Sequence, residues 1–546
     1  MIQKKAIRTT TGRQSQGFTW FFTKMGHVIL NARQALLGIV FMLMGFGLQP
    51  VSATNHKIVV LADPHVMAPS LLNKETEDFA AWNDFLGGNR KLIDYSQALF
   101  DQAVANIKAM NPRPELVLIV GDLTKDGEKD SHEYVEGKLV DLQKAGIPTL
   151  VIPGNHDWGS NSQAVYYNGG ATSPVPTCVR LGSGDNSLEK IYAAYGFGSA
   201  DRESSTLTYA CEPISGLVVI GIDSGTNGEL SSTTLNWVCE KAQTACKAGK
   251  QVIAMMHHPL IPHITGGDSF VESSHVLYPS AEDGYETVRN RLADAGISVI
   301  FTGHFHTSDI AKDWNGDKSR TIYDVTTGSL CSYPCDYRIV TLNESMNSMS
   351  ITTESITSAG PSLTGDAFST KIAKTRLSSS MEKIIQENLT NTAGGIASSV
   401  ASSLLAEAYI CHAEGNENQS KDAASILSKL QVSLMMAKVF SKITDVQYQL
   451  YLAMANSVLK DISNYDSTDG RADQTNDRTL VFSMPNVFSP NDGDNTAVLS
   501  ATKNEDGKGK EGYFYSIDGH RFSGGIPAAT SIRGIVVGRN GKKIRH

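Results

Sequence analysis

Between residues 57 and 302, five short apolar runs each end in side chains that bind metal ions or carry protons. Lys57 to Ala62 leads into Asp63-Pro64-His65, Leu116 to Val120 into Gly121-Asp122, and Thr149 to Ile152 into Gly154-Asn155-His156-Asp157. Gln251 to Met256 leads into His257-His258-Pro259, and Ser298 to Thr302 into Gly303-His304-Phe305-His306. The runs are short and rich in β-branched residues, which predicts strands, as does the further run Leu217 to Ile222. Longer stretches with apolar residues at helical spacing lie between them, predicting helices over Ser96 to Met110, Ser131 to Ala145, Thr233 to Ala248 and Gly284 to Ala295. This alternation, over about residues 57 to 340, implies an α/β layered domain. Ligand groups in such domains lie beyond the carboxyl ends of the strands, so the five motifs are expected to meet in one crevice.

The residue types agree with that convergence. Asp63, His65, Asp122, Asn155, His257, His304 and His306 offer carboxylate, carboxamide and imidazole donors with no thiolate among them, a set suited to manganese, iron or zinc. Seven donors exceed the four that one zinc takes, and one bridging carboxylate lets two ions share them. Glycines before Asp122, Asn155 and His304 are expected to allow the sharp turns that aim these side chains. Each piece alone is weak, since Asp-x-His and Gly-Asp recur by chance. The argument rests on the whole set, in order, at successive strand ends.

That ordered set resembles the calcineurin-like metallophosphoesterase family over roughly residues 56 to 342. The resemblance implies an α/β sandwich of two mixed sheets flanked by helices. It implies one metal held by Asp63, His65, Asp122 and His306, and a second by Asp122, Asn155, His257 and His304, with Asp122 bridging. The ions would be divalent or mixed-valence manganese, iron or zinc. His156 is then the non-ligand histidine, either protonating the leaving oxygen or only positioning the phosphate, and Asp157 is expected to orient it. Two such cations polarise phosphoryl oxygens and make hydroxide available near neutral pH. General-acid help is typically worth roughly 10² to 10⁴ in rate.

The implied activity is metal-dependent hydrolysis of a small-molecule phosphate ester. Purple acid phosphatases, a related group, carry a tyrosine three residues after the bridging aspartate, where this chain has Lys125, so a tyrosinate-bound ferric site is not expected. The segment from Gly121 to Glu128 looks more like the phosphodiesterase-containing branch, which favours a diester. A monoesterase or nucleotidase on the same site is the first alternative, and a non-catalytic metal-binding surface protein the second. Of the neighbouring polar residues, His258 is expected to support its strand end, Asp223 and Ser224 to be structural, and His263 and His275 to be solvent-exposed, with a place lining the cleft as their alternative.

The first 53 residues contain six basic residues and no acid, with an apolar run from Ala35 to Leu48 and Val51-Ser52-Ala53 after it. This reads as an export signal cleaved after Ala53, with an uncleaved anchor as the alternative and Met25 as a possible start. The apolar run is too short for the roughly 20 residues of a membrane-spanning helix, so no stable span is expected in the mature chain. The expected location is the periplasm, the cell surface or the medium. Without its six positive charges the chain keeps 42 of its 48 basic residues against 56 acidic ones, a net charge of −14. That disfavours nucleic-acid duplexes as partners. Among the seven cysteines, Cys331 and Cys335 are the expected local pair. Cys239 and Cys246, roughly 10 Å apart along a helix, are too distant to bridge.

The expected organisation is an export signal at 1–53, the phosphoesterase domain at 54–360, a helical accessory domain at 361–465 and a linker with a tail or small β module at 466–546. Within the last part, 466–479 is polar and acidic and reads as the linker. His412 and Glu414 are expected at the surface of the helical domain. The stretches Tyr515 to Arg521 and Arg533 to Lys543 resemble C-terminal tails of secreted proteins from certain Gram-negative bacteria, some of which direct outer-membrane export.

Overall fold

The computed structural model describes most residues from 55 to 485 and four short strands beyond residue 512. It does not describe 1–54, 73–79, 160–164, 264–284, 416–419, 453–471 and 486–512, nor a few shorter stretches. The expected export signal and His275 therefore lie outside the described residues.

Two mixed sheets carry the architecture. The six-stranded sheet runs Thr479–Ser483, Ser348–Ser355, Asp336–Leu342, His56–Leu61, Leu116–Val120, Thr149–Ile152. The seven-stranded sheet runs Ala472–Asp473, Asp309–Trp314, Thr321–Thr326, Val299–Thr302, Gln251–Met256, Leu217–Ile222, Tyr209–Ile214. Leu116–Val120 and Gln251–Met256 are buried along their whole length, as near-continuous apolar runs covered on both faces require.

Side-chain alternation sorts the second sheet into two layers. Val219, Ile253, Met255, Val299 and Phe301 join the core that contains the first sheet. Ile220, Ile222, Val252, Ala254, Met256 and Ile300 instead pack with the helices Ser232–Lys247 and Tyr285–Asp294. The first of these helices begins at Ser231, whose hydroxyl accepts from the Thr234 amide at 3.1 Å and satisfies one of the unpaired amides of the first turn.

Parallel register decides where the strands end. Val60, Leu118 and Leu150 are in line across three strands, as are Met255 and Phe301 in the other sheet. The carboxyl ends of all five motif-bearing strands therefore fall on one edge of the sandwich.

Three long helices follow, Thr375–Ala393, Gly395–Ala413 and Ser420–Val439. Leu377, Met381, Ile385, Leu405, Tyr409, Leu430 and Leu434 form their shared core. Arg376 pairs with Asp94, and both Lys374 Nζ and Tyr333 Oη lie 2.6 Å from Glu414 Oε1. Among the described residues no helix is long and apolar enough to cross a membrane.

The described part of the expected linker is instead built into both sheets. Ala472–Asp473 pairs with Ala311 and Lys312, and Thr479–Ser483 closes the edge beside Ser348–Ser355. Leu480 is buried and Val481 exposed, the period-two pattern of an edge strand. Asp477 accepts from the Ile310 amide at 2.9 Å, and Arg478 Nη1 donates to Asp336 at 2.7 Å. These long-range bonds give an acidic stretch the partners that its composition does not reveal. A four-stranded antiparallel sheet of short strands lies between Tyr513 and Arg545.

All seven cysteines are free. The expected Cys331 and Cys335 pair is thus absent. Both are buried, and burial pushes both thiols up, holding them in the protonated form that does not attack.

Candidate metal centre

Five of the seven expected ligands leave their strands in the left-handed region: Asp63 (φ 48°), His65 (φ 42°), Asp122 (φ 48°), His304 (φ 72°) and His306 (φ 64°). Such backbone costs on the order of 1–3 kcal/mol per non-glycine residue and persists only where surroundings enforce it. Here the enforcement is mutual. The Asp63 amide donates to Gly121 O at 3.2 Å, the His65 amide to Asp122 O at 2.9 Å, and the Gly303 amide to His257 O at 3.0 Å.

The glycines have two different roles. Gly121 takes the expected positive φ of 92°, whereas Gly154 is needed for space, since a Cβ there would lie 2.2 Å from Asp122 Oδ1.

The side chains form two groups that meet at one oxygen. Asp122 Oδ2 is 3.4 Å from His65 Nε2 and 3.4 Å from His257 Nε2. On one side His65 Nε2 lies 3.1 Å from His306 Nε2, which is 3.7 Å from Asp63 Oδ1. On the other, Asn155 Oδ1 is 3.0 Å from His257 Nε2 and 3.1 Å from His304 Nδ1. His257 donates from Nδ1 to Val120 O at 2.9 Å, which orients the ring and turns Nε2 toward the centre.

These residues fit a pair of metal ions. Burial holds His65 and His306 well below their usual range, helped by the ammonium of Lys91 at His65 and by Arg90 at His306. Two neutral imidazoles that face each other inside the protein suit a shared cation better than each other. Burial also pushes the Asp63 carboxyl up to about 7. At His257 burial acts downward, but Asp122 and Asp63 outweigh it and push the imidazole up to about 9. Burial likewise acts against the Asp122 carboxylate, yet His257, His156 and His65 hold it well below its usual range. Asp63, His65, Asp122 and His306 can present donor atoms within 4.8 Å of one another, and so can His257, His258 and His304. His258 Nδ1 also contacts the Ser224 hydroxyl at 2.7 Å, so the residue expected to brace the strand stands beside the second group as well.

His156 lies at the rim, half-buried, with its amide donating to Asp122 Oδ1 at 2.8 Å. Its Nδ1 is 2.8 Å from Lys125 O and 2.9 Å from Asp126 Oδ1. The expected orienting residue, Asp157, accepts instead from the amides of Gly154 at 2.8 Å and Thr124 at 2.9 Å. It ties the motif loop together, and burial with the nearby Asp122 charge pushes its carboxyl up to about 7. Lys125 pairs with Asp126, which fixes the carboxylate that meets His156.

Lys91 and Asp126 were not among the expected site residues. Lys91 Nζ lies 3.2 Å from His156 Nε2 and 3.4 Å from His65 Nδ1. The basic doublet Arg90-Lys91 between the first two motifs is the one sequence cue for it.

His263 is buried rather than exposed: Nδ1 is 2.9 Å from Asp309 and Nε2 is 3.4 Å from Asp324. His412 is also buried, near the charges of Asp309 and His263, while Glu414 is held by Lys374 and Tyr333. Neither helical residue joins the two ligand groups. Asp223 accepts from the amides of Leu207 and Gly225, a structural role.

Residues 56–308 match the family described as calcineurin-like phosphoesterase. The chain is 25% identical over 225 residues to a probable glycerophosphodiester phosphodiesterase GpdQ of Arcobacter nitrofigilis, covering 39% of this chain and 64% of that protein. The match thus spans less than two thirds of the relative's length. A solved structure of the Thermus thermophilus sulfate thiohydrolase SoxB in complex with glycerol is 11% identical, with a TM-score of 0.24 and 54% of each chain covered.

Proposed function

Residues 56–308 belong to the calcineurin-like phosphoesterase family, and on that premise we propose that this protein is an exported, metal-dependent phosphodiesterase acting on small-molecule phosphate diesters. The observation that carries the reading is the placement of Asp122 Oδ2 at 3.4 Å from an imidazole nitrogen of each ligand group. That is the geometry a bridging carboxylate requires. Manganese, iron or zinc ions bound there would supply Lewis acidity and lower the pKa of a water toward neutrality.

The chain's own residues do the rest. Asp63, His65, Asp122 and His306 would hold one ion, and Asn155, His257 and His304 with Asp122 would hold the other. His156 presents Nε2 to the substrate while Asp126 and Lys125 O hold Nδ1. From there it donates to the leaving oxygen of the ester. The named activity of the Arcobacter relative supports the diester, and the basic, acid-free segment 1–53 supports export to the periplasm, the surface or the medium.

The test strips the purified protein of metal, resupplies manganese, zinc or iron, and compares bis-p-nitrophenyl phosphate with p-nitrophenyl phosphate beside an Asp122→Asn control. Metal-restored diester turnover that vanishes in the control supports the reading. A rate that favours the monoester assigns the site to phosphomonoesters. Folded, metal-loaded protein that turns over neither ester removes the enzyme reading.

A further inference from the structure

We propose that Lys91 contacts a phosphoryl oxygen of the substrate beside His156, and that the C-terminal helices hold the loop that carries it. The proposal rests on the reading of the site as a phosphoesterase centre and names a binding group beyond the metal ligands and His156. Lys91 Nζ sits between a ligand ring and the proposed acid, 3.4 Å from His65 Nδ1 and 3.2 Å from His156 Nε2. His156 Nδ1 donates toward Lys125 O and Asp126, so Nε2 accepts from the ammonium only while it carries no proton; the protonated ring that serves as the acid releases the ammonium to the phosphoryl group. Among the described residues, the polar groups within hydrogen-bond distance of this half-buried ammonium are imidazoles, with no carboxylate at ion-pair distance. An ammonium has three donors on a flexible stem and turns readily from a ring nitrogen to an anionic oxygen. The phosphoryl group places negative charge in direct contact with it, where Asp122 and Asp126 act only from beyond ion-pair distance.

The loop around it is fastened from several directions. Ser380 donates to Asn89 O at 3.0 Å, and Arg376 pairs with Asp94 through both nitrogens of its fork. Arg90 Nη1 donates to Tyr409 Oη at 2.7 Å, and Tyr409 Oη reaches Phe305 O, inside the last ligand motif, at 3.3 Å. From the sandwich side, Ser332 donates to Arg90 O at 3.2 Å and the Leu92 amide to Cys331 O at 2.6 Å. Residues 376, 380 and 409 of the helices thus bracket Lys91, making Tyr409 a positioning residue for it.

The experiment measures inorganic phosphate binding by calorimetry to metal-loaded wild type, Lys91→Met, Lys91→Arg, Tyr409→Phe and the Lys91→Met/Tyr409→Phe double variant, with metal content by elemental analysis. Loss of one charge-assisted bond is expected to weaken phosphate by about tenfold or more in Lys91→Met, at unchanged metal content. Lys91→Arg recovers part of this, Tyr409→Phe weakens phosphate severalfold, and the double variant is no weaker than Lys91→Met, because the two residues act through one contact. Wild-type phosphate affinity in fully metallated Lys91→Met overturns the substrate contact. A Tyr409→Phe effect undiminished in the Lys91→Met background overturns the positioning role. Phosphate binding is read without turnover, so failure of this inference is distinct from failure of the wild type to hydrolyse either ester.

Discussion

The carboxylate of Asp126 lies 2.9 Å from Nδ1 of His156, and its other oxygen pairs with the Lys125 ammonium. A ring held in this way keeps Nε2 in a fixed direction. Asp126→Asn is expected to lower kcat about tenfold or more on alkyl phosphodiesters, whose leaving oxygen needs a proton. The loss is expected to be smaller on p-nitrophenyl esters, whose leaving group needs none. Steady-state rates on the two ester types, at equal metal content, check this.

Metal loading is expected to depend on pH through two groups. The metal-free protein holds a proton on His257 up to about 9 and one on Asp63 up to about 7, and both must leave when ions bind. Apparent affinity is therefore expected to fall as pH drops, by about tenfold per unit between 9 and 7 and more steeply below 7. Competition titrations against a chelator of known affinity at several pH values read both slopes.

His263 is expected to contribute stability that alkali removes. It is buried, and although burial acts downward, Asp309 and Asp324 push its imidazole well above the usual range. A raised folded value means the contribution is fully present below the unfolded value of roughly 6.5 and is lost as pH rises through the folded one. Breaking a buried pair from one side costs about 3–5 kcal/mol. His263→Phe is expected to lose stability of that order at pH 6 and less at alkaline pH, as urea unfolding at the two pH values measures.

Gly154→Ala places a methyl group where only 2.2 Å separates it from Asp122 Oδ1. The Asp122 carboxylate must move, so metal content and turnover are expected to fall together, by about a hundredfold in kcat. Elemental analysis and circular dichroism separate this outcome from loss of the fold.

How much was legible in the chain follows from the range of the interaction involved. Leu116–Val120, Thr149–Ile152, Leu217–Ile222 and Gln251–Met256 lie where their apolar runs place them. A buried parallel strand announces itself by an uninterrupted β-branched run, and a motif at its end is placed by the strand. The gathering of Asp63, His65, Asp122 and His306 was readable for the same reason. His263 and His412 were misjudged because polarity suggests exposure and says nothing about a carboxylate waiting across the fold.

Sequence alone determined the strands that carry the motifs and the donor types at their ends, because each depends on a pattern within a few residues. Only the tertiary structure decided that Asp126 meets His156, that Asp477 binds the Ile310 amide 167 positions away, and that Tyr409 holds Arg90 from 319 positions away. Contacts of that separation form only when the chain's layers have packed. No local pattern of apolar and polar residues encodes which distant polar group will be there to receive them.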